Sequence, residues 1–228
     1  MIYAIPSLQK TNPVMTDTKS SSASATVVTV GTLLFDGFEL LDVFGPLEMF
    51  GLLEDRVRLV MLAEDPGLVR SHQGPVALAD SALGEVRRLD VLLVPGGMGT
   101  RREVLNPEFL AGLAAAAQAS AYVSSVCTGS ALLARAGLLD GKRATSNKRA
   151  FGWVKSQGPK VDWVAEARWV EDGKFFTSSG VAAGMDMALG LIERLFDRAM
   201  SEEIANRAEY EWHSDRHHDP FAKLNGLI

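Results

Sequence analysis

From Val27 to Phe35 nearly every position is apolar or β-branched, and the run stops at Asp36-Gly37. A run of that length closed by a turn signal reads as a strand buried on both faces. The runs at Val57–Ala63, Asp90–Val94 and Ala121–Val126 predict further strands, and Val76–Leu78 a short edge hairpin. Between them the spacing switches to helical. Pro107–Ala119 is Ala-rich, with Asn106 placed to cap the helix and Pro107 at its first position. Proline is disfavoured inside a helix, so the chain after the first strand reads as a turn over Phe38–Gly45 and a helix over Pro46–Leu53. Later segments predict a helix over Ala131–Ala136, a short strand over Gly141–Thr145 and a helix over Asn147–Gln157. Two strands then follow, Trp163–Val170 and Lys174–Ser178, joined at Asp172-Gly173, and two last helices over Val181–Phe196 and Ser201–Trp212.

Strands that alternate with helices imply the α/β class: a doubly wound, mostly parallel sheet covered by helices on both faces. No repeat or linker divides residues 27–212, which read as one domain. Residues 1–26, rich in Ser, Thr and Ala, read as a disordered tail, and 213–228 as a polar C-terminal tail. The start lacks the basic stretch and apolar core of a secretory signal, and Met15 is a second candidate for the first residue.

Composition narrows the function classes. A chain of 228 residues with 47% apolar and 22% charged positions has the make-up of a soluble globular protein. A net charge of -5 argues against nucleic-acid or anionic-membrane partners. Apolar runs fall short of the roughly 18 to 20 residues that span a bilayer. One cysteine allows no intrachain disulfide, which fits a reducing, cytoplasmic setting.

That cysteine, Cys127, ends a β-branched run and is followed by Thr128-Gly129-Ser130 and a helix. Strand, sharp turn and helix make an elbow that presents a side chain at the sheet's carboxyl edge. The first N–H groups of a helix stabilise a thiolate, so Cys127 is expected to have a lowered pKa and to act as a nucleophile; the alternative is a small buried core residue. Asp42, among apolar neighbours, is either a partly buried general acid with a raised pKa or a turn residue bonding its own backbone. Gly96-Gly97 either brings backbone N–H groups against a ligand or simply turns the chain. Thr128 supplies an N–H beside the nucleophile. None of the histidines, His72, His213, His217 and His218, adjoins the cysteine in sequence, and the last three read as a solvated terminus rather than a metal cluster. No metal or dinucleotide motif is present, so neither a metal nor an organic cofactor is expected.

Taken together, Val30-Gly-Thr-Leu-Leu-Phe35, Leu41-Asp-Val-Phe-Gly-Pro46, Asp90-Val-Leu-Leu-Val-Pro-Gly-Gly97, Ser125-Val-Cys-Thr-Gly-Ser130, Ala136–Thr145 and Ser179-Gly-Val-Ala-Ala-Gly-Met-Asp186 resemble the ThiJ/PfpI superfamily, the class I glutamine-amidotransferase-like proteins. The resemblance implies a flavodoxin-like fold with a nucleophile elbow at Cys127, and a homodimer. Asp42 before Gly45-Pro46 together with Cys127-Thr128-Gly129 is most similar to the isocyanide (isonitrile) hydratase branch. That branch implies a lyase-type enzyme that adds water to a small isocyanide, with Cys127 as nucleophile, Asp42 as general acid, and Gly96, Gly97, Thr128 and Asn147 around the substrate. Glyoxalase or deglycase activity on reactive carbonyls, and a non-enzymatic redox or stress sensor built on Cys127, are the alternatives. A Cys-His-Glu triad is not available, because Ser178-Ser-Gly-Val-Ala stands where the amidotransferases carry His-x-Glu. Asn147-Lys148 replaces the His-Trp of the hydratases, and Lys148 either points inward and offers the pocket a cation or is solvated on the helix surface.

Overall fold

A computed structural model describes residues 27–228; the expected tail over 1–26 lies outside the described residues. In chain order the elements are β1 (Val28–Leu33), α1 (Leu40–Gly51), β2 (Val57–Ala63), β3 (Gly67–Arg70), β4 (Val76–Ala79), β5 (Ser81–Ala82), β6 (Leu89–Val94), α2 (Thr100–Glu103), α3 (Pro107–Gln118), β7 (Ser120–Ser125), α4 (Gly129–Arg135), β8 (Arg143–Ala144), α5 (Phe151–Gln157), β9 (Asp162–Trp163), β10 (Trp169–Asp172), β11 (Phe175–Ser178), α6 (Ala183–Leu195), α7 (Arg198–Arg207) and α8 (Pro220–Leu224). Seven strands form one sheet in the order β10-β11-β7-β6-β1-β2-β5. All neighbours run parallel except β10, which pairs antiparallel with β11. This is the expected doubly wound, flavodoxin-like α/β fold.

Because side chains alternate across a strand, the sheet feeds two cores. Leu92 and Val94 of β6 face one, with Phe109 and Leu113 of α3, Leu132 of α4 and Val154 of α5. Val91 and Leu93 face the other, with Phe50 of α1, Leu191 of α6 and Ile204 of α7. The Asn106 cap forms as the sequence predicts, its Oδ1 accepting the Phe109 N–H at 3.1 Å. The small hairpin is present as β3 with β4, a separate two-stranded sheet.

Several expectations are corrected. The strand expected over Trp163–Val170 is two short strands in different sheets, β9 beside β8 and β10 at the edge of the main sheet. The first helix starts at Leu40 rather than at Pro46, and Pro46 lies inside it. Proline removes only the bond its N–H would have given to the carbonyl four residues back, that of Asp42; the flanking apolar residues Val43, Leu47 and Phe50 are buried and hold the helix together. The last long helix runs Arg198–Arg207, earlier than Ser201–Trp212, because Asp197 caps it by accepting the Met200 N–H at 2.8 Å. Residues 213–228 are anchored rather than loose. The Arg216 carbonyl accepts the Arg168 N–H at 2.9 Å, the Glu166 carbonyl accepts the Asp219 N–H at 2.8 Å, and α8 packs with Ala222 fully buried. No helix among the described residues is long and apolar enough to cross a membrane.

Candidate active site

β1, β6 and β7 lie side by side, and the strand order reverses between β1 and β6. Chain segments diverge at such a switch point and leave a crevice beyond the carboxyl ends of the strands. The loop after β1 leads into the first turn of α1 and delivers Asp42. The loop after β6 delivers Gly96-Gly97, and the elbow after β7 delivers Cys127 and Thr128.

Cys127 sits at φ 56°, in the left-handed region that a residue with a side chain occupies at a cost of about 1–3 kcal/mol. Its backbone is tied on both sides. The N–H donates to the Ser179 carbonyl at 3.1 Å, and the carbonyl accepts the hydroxyls of Ser146 at 2.8 Å and Ser130 at 3.2 Å. The side chain faces the buried carboxyl of Asp42. Asp42 Oδ2 accepts the Gly96 N–H at 2.9 Å, while Oδ1 has no nitrogen or oxygen partner among the described residues. Burial lifts the Asp42 carboxyl from an ordinary 3.8 to about 7, with a smaller push from the Glu39 charge; the Gly96 N–H and the Cys127 contact pull the other way.

The glycines let the loops close in on one another. A Cβ on Gly96 would lie 2.6 Å from the Thr128 nitrogen and 2.8 Å from Asp42 Oδ2. Gly97 adopts φ 122°, and a Cβ there would lie 2.3 Å from the Gly37 carbonyl oxygen. Its N–H donates to Thr128 Oγ1 at 3.1 Å, and Thr100 Oγ1 donates to the Gly97 carbonyl at 2.7 Å. The N–H of Thr128, its hydroxyl and the side-chain amide of Asn147 make polar contacts with Cys127 that favour the thiolate. The Asn147 Oδ1 accepts the Ala150 N–H at 3.0 Å, which leaves the amide NH2 for the sulfur side. Asn147 also borders an apolar cavity of about 470 Å³ walled by Val181, Phe221 and Leu224.

The structure thus brings together Cys127, Asp42, Gly96, Gly97, Thr128 and Asn147. It revises three details of their expected roles. Burial, and then the Asp42 charge, push the Cys127 thiol up from its ordinary value, and the Thr128 and Asn147 donors only partly offset this. The expected lowering is therefore absent from the resting site: α4 is a seven-residue helix whose contribution is outweighed by desolvation. The N–H groups of Gly96 and Gly97 are already engaged, so these glycines position Asp42 and Thr128 and leave the Thr128 N–H as the backbone donor at the sulfur. Lys148 does not face the pocket. It is buried, donating to the Ala167 carbonyl at 2.6 Å and to Thr145 Oγ1 at 2.8 Å, and pairing with Asp219 at 3.8 Å. All four histidines are exposed, and none is a partner of Cys127.

Sequence reading missed Arg101, whose guanidinium lies 4.0 Å from the centre of the Trp153 ring and which donates to Thr100 Oγ1, itself bonded to Thr128 Oγ1. It also gave no role to Ser146, or to Ser179, which opens one of the segments that carry the resemblance. A buried cluster behind the site joins Asp186 to Arg168 at 2.5 Å, with Tyr210 donating to Asp186 at 3.0 Å.

A doubly wound α/β domain with a cysteine on a strained elbow and a buried carboxyl facing it is the class this fold and site define. The chain belongs to the DJ-1/PfpI family, whose pattern matches residues 28–194. It is 34% identical over 183 residues to an isonitrile hydratase of Pseudomonas putida, spanning 79% of this chain and 78% of that protein. It is also 33% identical over 187 residues to the HTH-type transcriptional regulator GbdR of Pseudomonas aeruginosa, spanning 80% of this chain but 50% of the regulator. Among solved structures, a ThiJ/PfpI family protein from Pseudomonas syringae superposes with a TM-score of 0.75 at 30% identity, covering 87% of this chain and 82% of that one.

Proposed function

We propose that this protein is a cysteine-dependent hydratase that converts a small isocyanide to an N-substituted formamide. The observation that carries this reading is the sealed pairing of Cys127 with an Asp42 carboxyl whose pKa lies at about 7. A group poised there can take a proton and return it within one turnover at neutral pH. Isocyanide hydration needs that exchange twice. The Cys127 sulfur forms a bond to the terminal carbon of R–NC while the thiol proton passes to Asp42. Asp42 then delivers it to the same carbon, leaving a thioformimidate, R–N=CH–S–Cys127. Water adds across the C=N bond, its hydroxyl to carbon and a proton to nitrogen with Asp42 as relay. The tetrahedral adduct collapses to R–NH–CHO, and sulfur regains its proton. The Thr128 N–H and the Asn147 amide steady the negative charge that sulfur carries as it attacks and leaves.

Burial and a raised thiol count against the redox-sensor alternative, since oxidation follows thiolate character and exposure. The lack of a histidine beside Cys127 counts against the glyoxalase and deglycase alternatives. A cytoplasmic homodimer with no metal or cofactor requirement completes the proposal. The test is turnover of para-nitrophenyl isocyanide by wild type, Cys127→Ala and Asp42→Asn. Cys127→Ala is expected to abolish it, and Asp42→Asn to lower kcat by about 10²–10⁴-fold. No formamide from wild type overturns the reading.

A further inference from the structure

Arg101 is a half-buried cation with no carboxylate within ion-pairing reach among the described residues. Its guanidinium lies over Trp153, with its central carbon 4.0 Å from the ring centre, and Nη1 donates to Thr100 Oγ1 at 3.2 Å. Such stacking leaves the remaining N–H groups of a guanidinium aimed outward in its plane, the geometry that receives a carboxylate. On one side Thr100 links Arg101 to the residue after Cys127, its Oγ1 accepting from Arg101 and donating to Thr128 Oγ1 at 3.2 Å. On the other Arg101 lines a cavity of about 750 Å³ together with Arg70, Arg102 and the apolar side chains of Leu68, Val76 and Met98.

The charges of that cavity are unequal. Arg102 is neutralised by Glu103 at 2.5 Å. Arg70 donates from Nη1 to the Gly74 carbonyl at 2.7 Å and has no acid partner among the described residues. Asp36 is the carboxylate on the lining, and its Oδ1 is engaged by the Arg70 backbone N–H at 3.0 Å. The cavity therefore offers cations beside an apolar wall formed by the β3–β4 hairpin and the loop after β6.

We propose that Arg101 anchors an anionic group of the substrate, so that the site selects small isocyanides with an apolar body and a carboxylate. This rests on the hydratase reading and adds to it the class of substrate. It also moves the selectivity cation from Lys148, which is buried, to Arg101.

The test compares kcat/KM for para-isocyanobenzoate and para-nitrophenyl isocyanide in wild type, Arg101→Met and Arg101→Lys. Arg101→Met is expected to lose about tenfold to hundredfold on the carboxylate, mostly in KM, with little change on the neutral substrate. Arg101→Lys is expected to recover part of the loss. In parallel, para-formamidobenzoate is titrated into Cys127→Ala with Trp153 fluorescence as the readout, Trp153→Phe assigning the signal. Saturable quenching that disappears in Cys127→Ala/Arg101→Met supports the anion anchor without any turnover. Equal losses on both substrates, or quenching unchanged by Arg101→Met, overturn the anchor. Absence of turnover on both isocyanides with Arg101-dependent quenching intact overturns only the hydratase reading.

Discussion

The Cys127 thiol lies against the Asp42 carboxyl, and each group sets the other's proton: the thiol contact favours an ionised Asp42, and an ionised Asp42 holds the proton on sulfur. The two therefore behave as a pair sharing protons, and the proposed attack by sulfur needs no resting thiolate.

Removing the Asp42 charge should free the thiol. In wild type, thiolate absorbance is expected to appear above the ordinary cysteine value of about 8.5, and in Asp42→Asn at distinctly lower pH. An ultraviolet pH titration of both proteins, with Cys127→Ser as blank, measures this. A variant titrating at or above wild type contradicts the pairing.

The pH–rate profile follows from the same pair. With Asp42 as the acceptor of the thiol proton, kcat/KM for a neutral isocyanide should rise with pH around a midpoint near 7. A flat profile between about pH 5 and 9 would remove Asp42 from the proton-transfer step.

Asp42 also carries a stability signature. Its native pKa of about 7 exceeds the ordinary 3.8, so the native state binds more protons than the unfolded chain between those values. Asp42's contribution to stability is full below about pH 4 and is lost as pH rises through 7. Asp42→Asn should match wild type near pH 4 and be more stable by about 2–4 kcal/mol at pH 8. Urea midpoints at the two pH values decide it.

Lys148 and Asp219 form a buried ion pair that fastens α8 to the loop after β8. Burial lowers the Lys148 ammonium to about 8 despite the Asp219 charge. Lys148→Met alone strands a buried carboxylate and should cost about 3–5 kcal/mol, most of it recovered in Lys148→Met/Asp219→Asn. Chemical denaturation of the single and double variants reads this. Lys148→Met should leave selectivity between neutral and anionic isocyanides unchanged.

On α1, Leu41 and Phe44 point outward, with Phe44 46% exposed beside the buried Asp42 and Val43. If this face joins two copies, Phe44→Ser should convert the wild-type dimer to a 24.6 kDa monomer by light scattering. A monomeric wild type refutes the homodimer.

What the sequence made legible is what local chemistry writes into adjacent residues. The β-branched run ending at Cys127, the small-residue turn after it and the Asn106-Pro107 cap each declare their conformation within a few positions. Pro46 misled because its cost is one missing bond, and the burial of Val43, Leu47 and Phe50 outweighs it. Lys148 misled because its partner, Asp219, is 71 residues away and its burial exists only once α8 docks. Arg101 was silent for the same reason: its meaning comes from Trp153, on a different helix, and from a cavity wall supplied by the β3–β4 hairpin.

The three bonds that clamp the Cys127 backbone reach it from separate parts of the chain, at Ser130, Ser146 and Ser179. A cysteine backbone fixed in this way has little slack. In the proposed reaction, molecules must come to a fixed elbow, so whatever breathing turnover requires falls to the surrounding walls. The same fixture separates evolution of substrate choice from evolution of chemistry: side chains facing the two cavities can be exchanged while the anvil they surround stays where the sheet holds it.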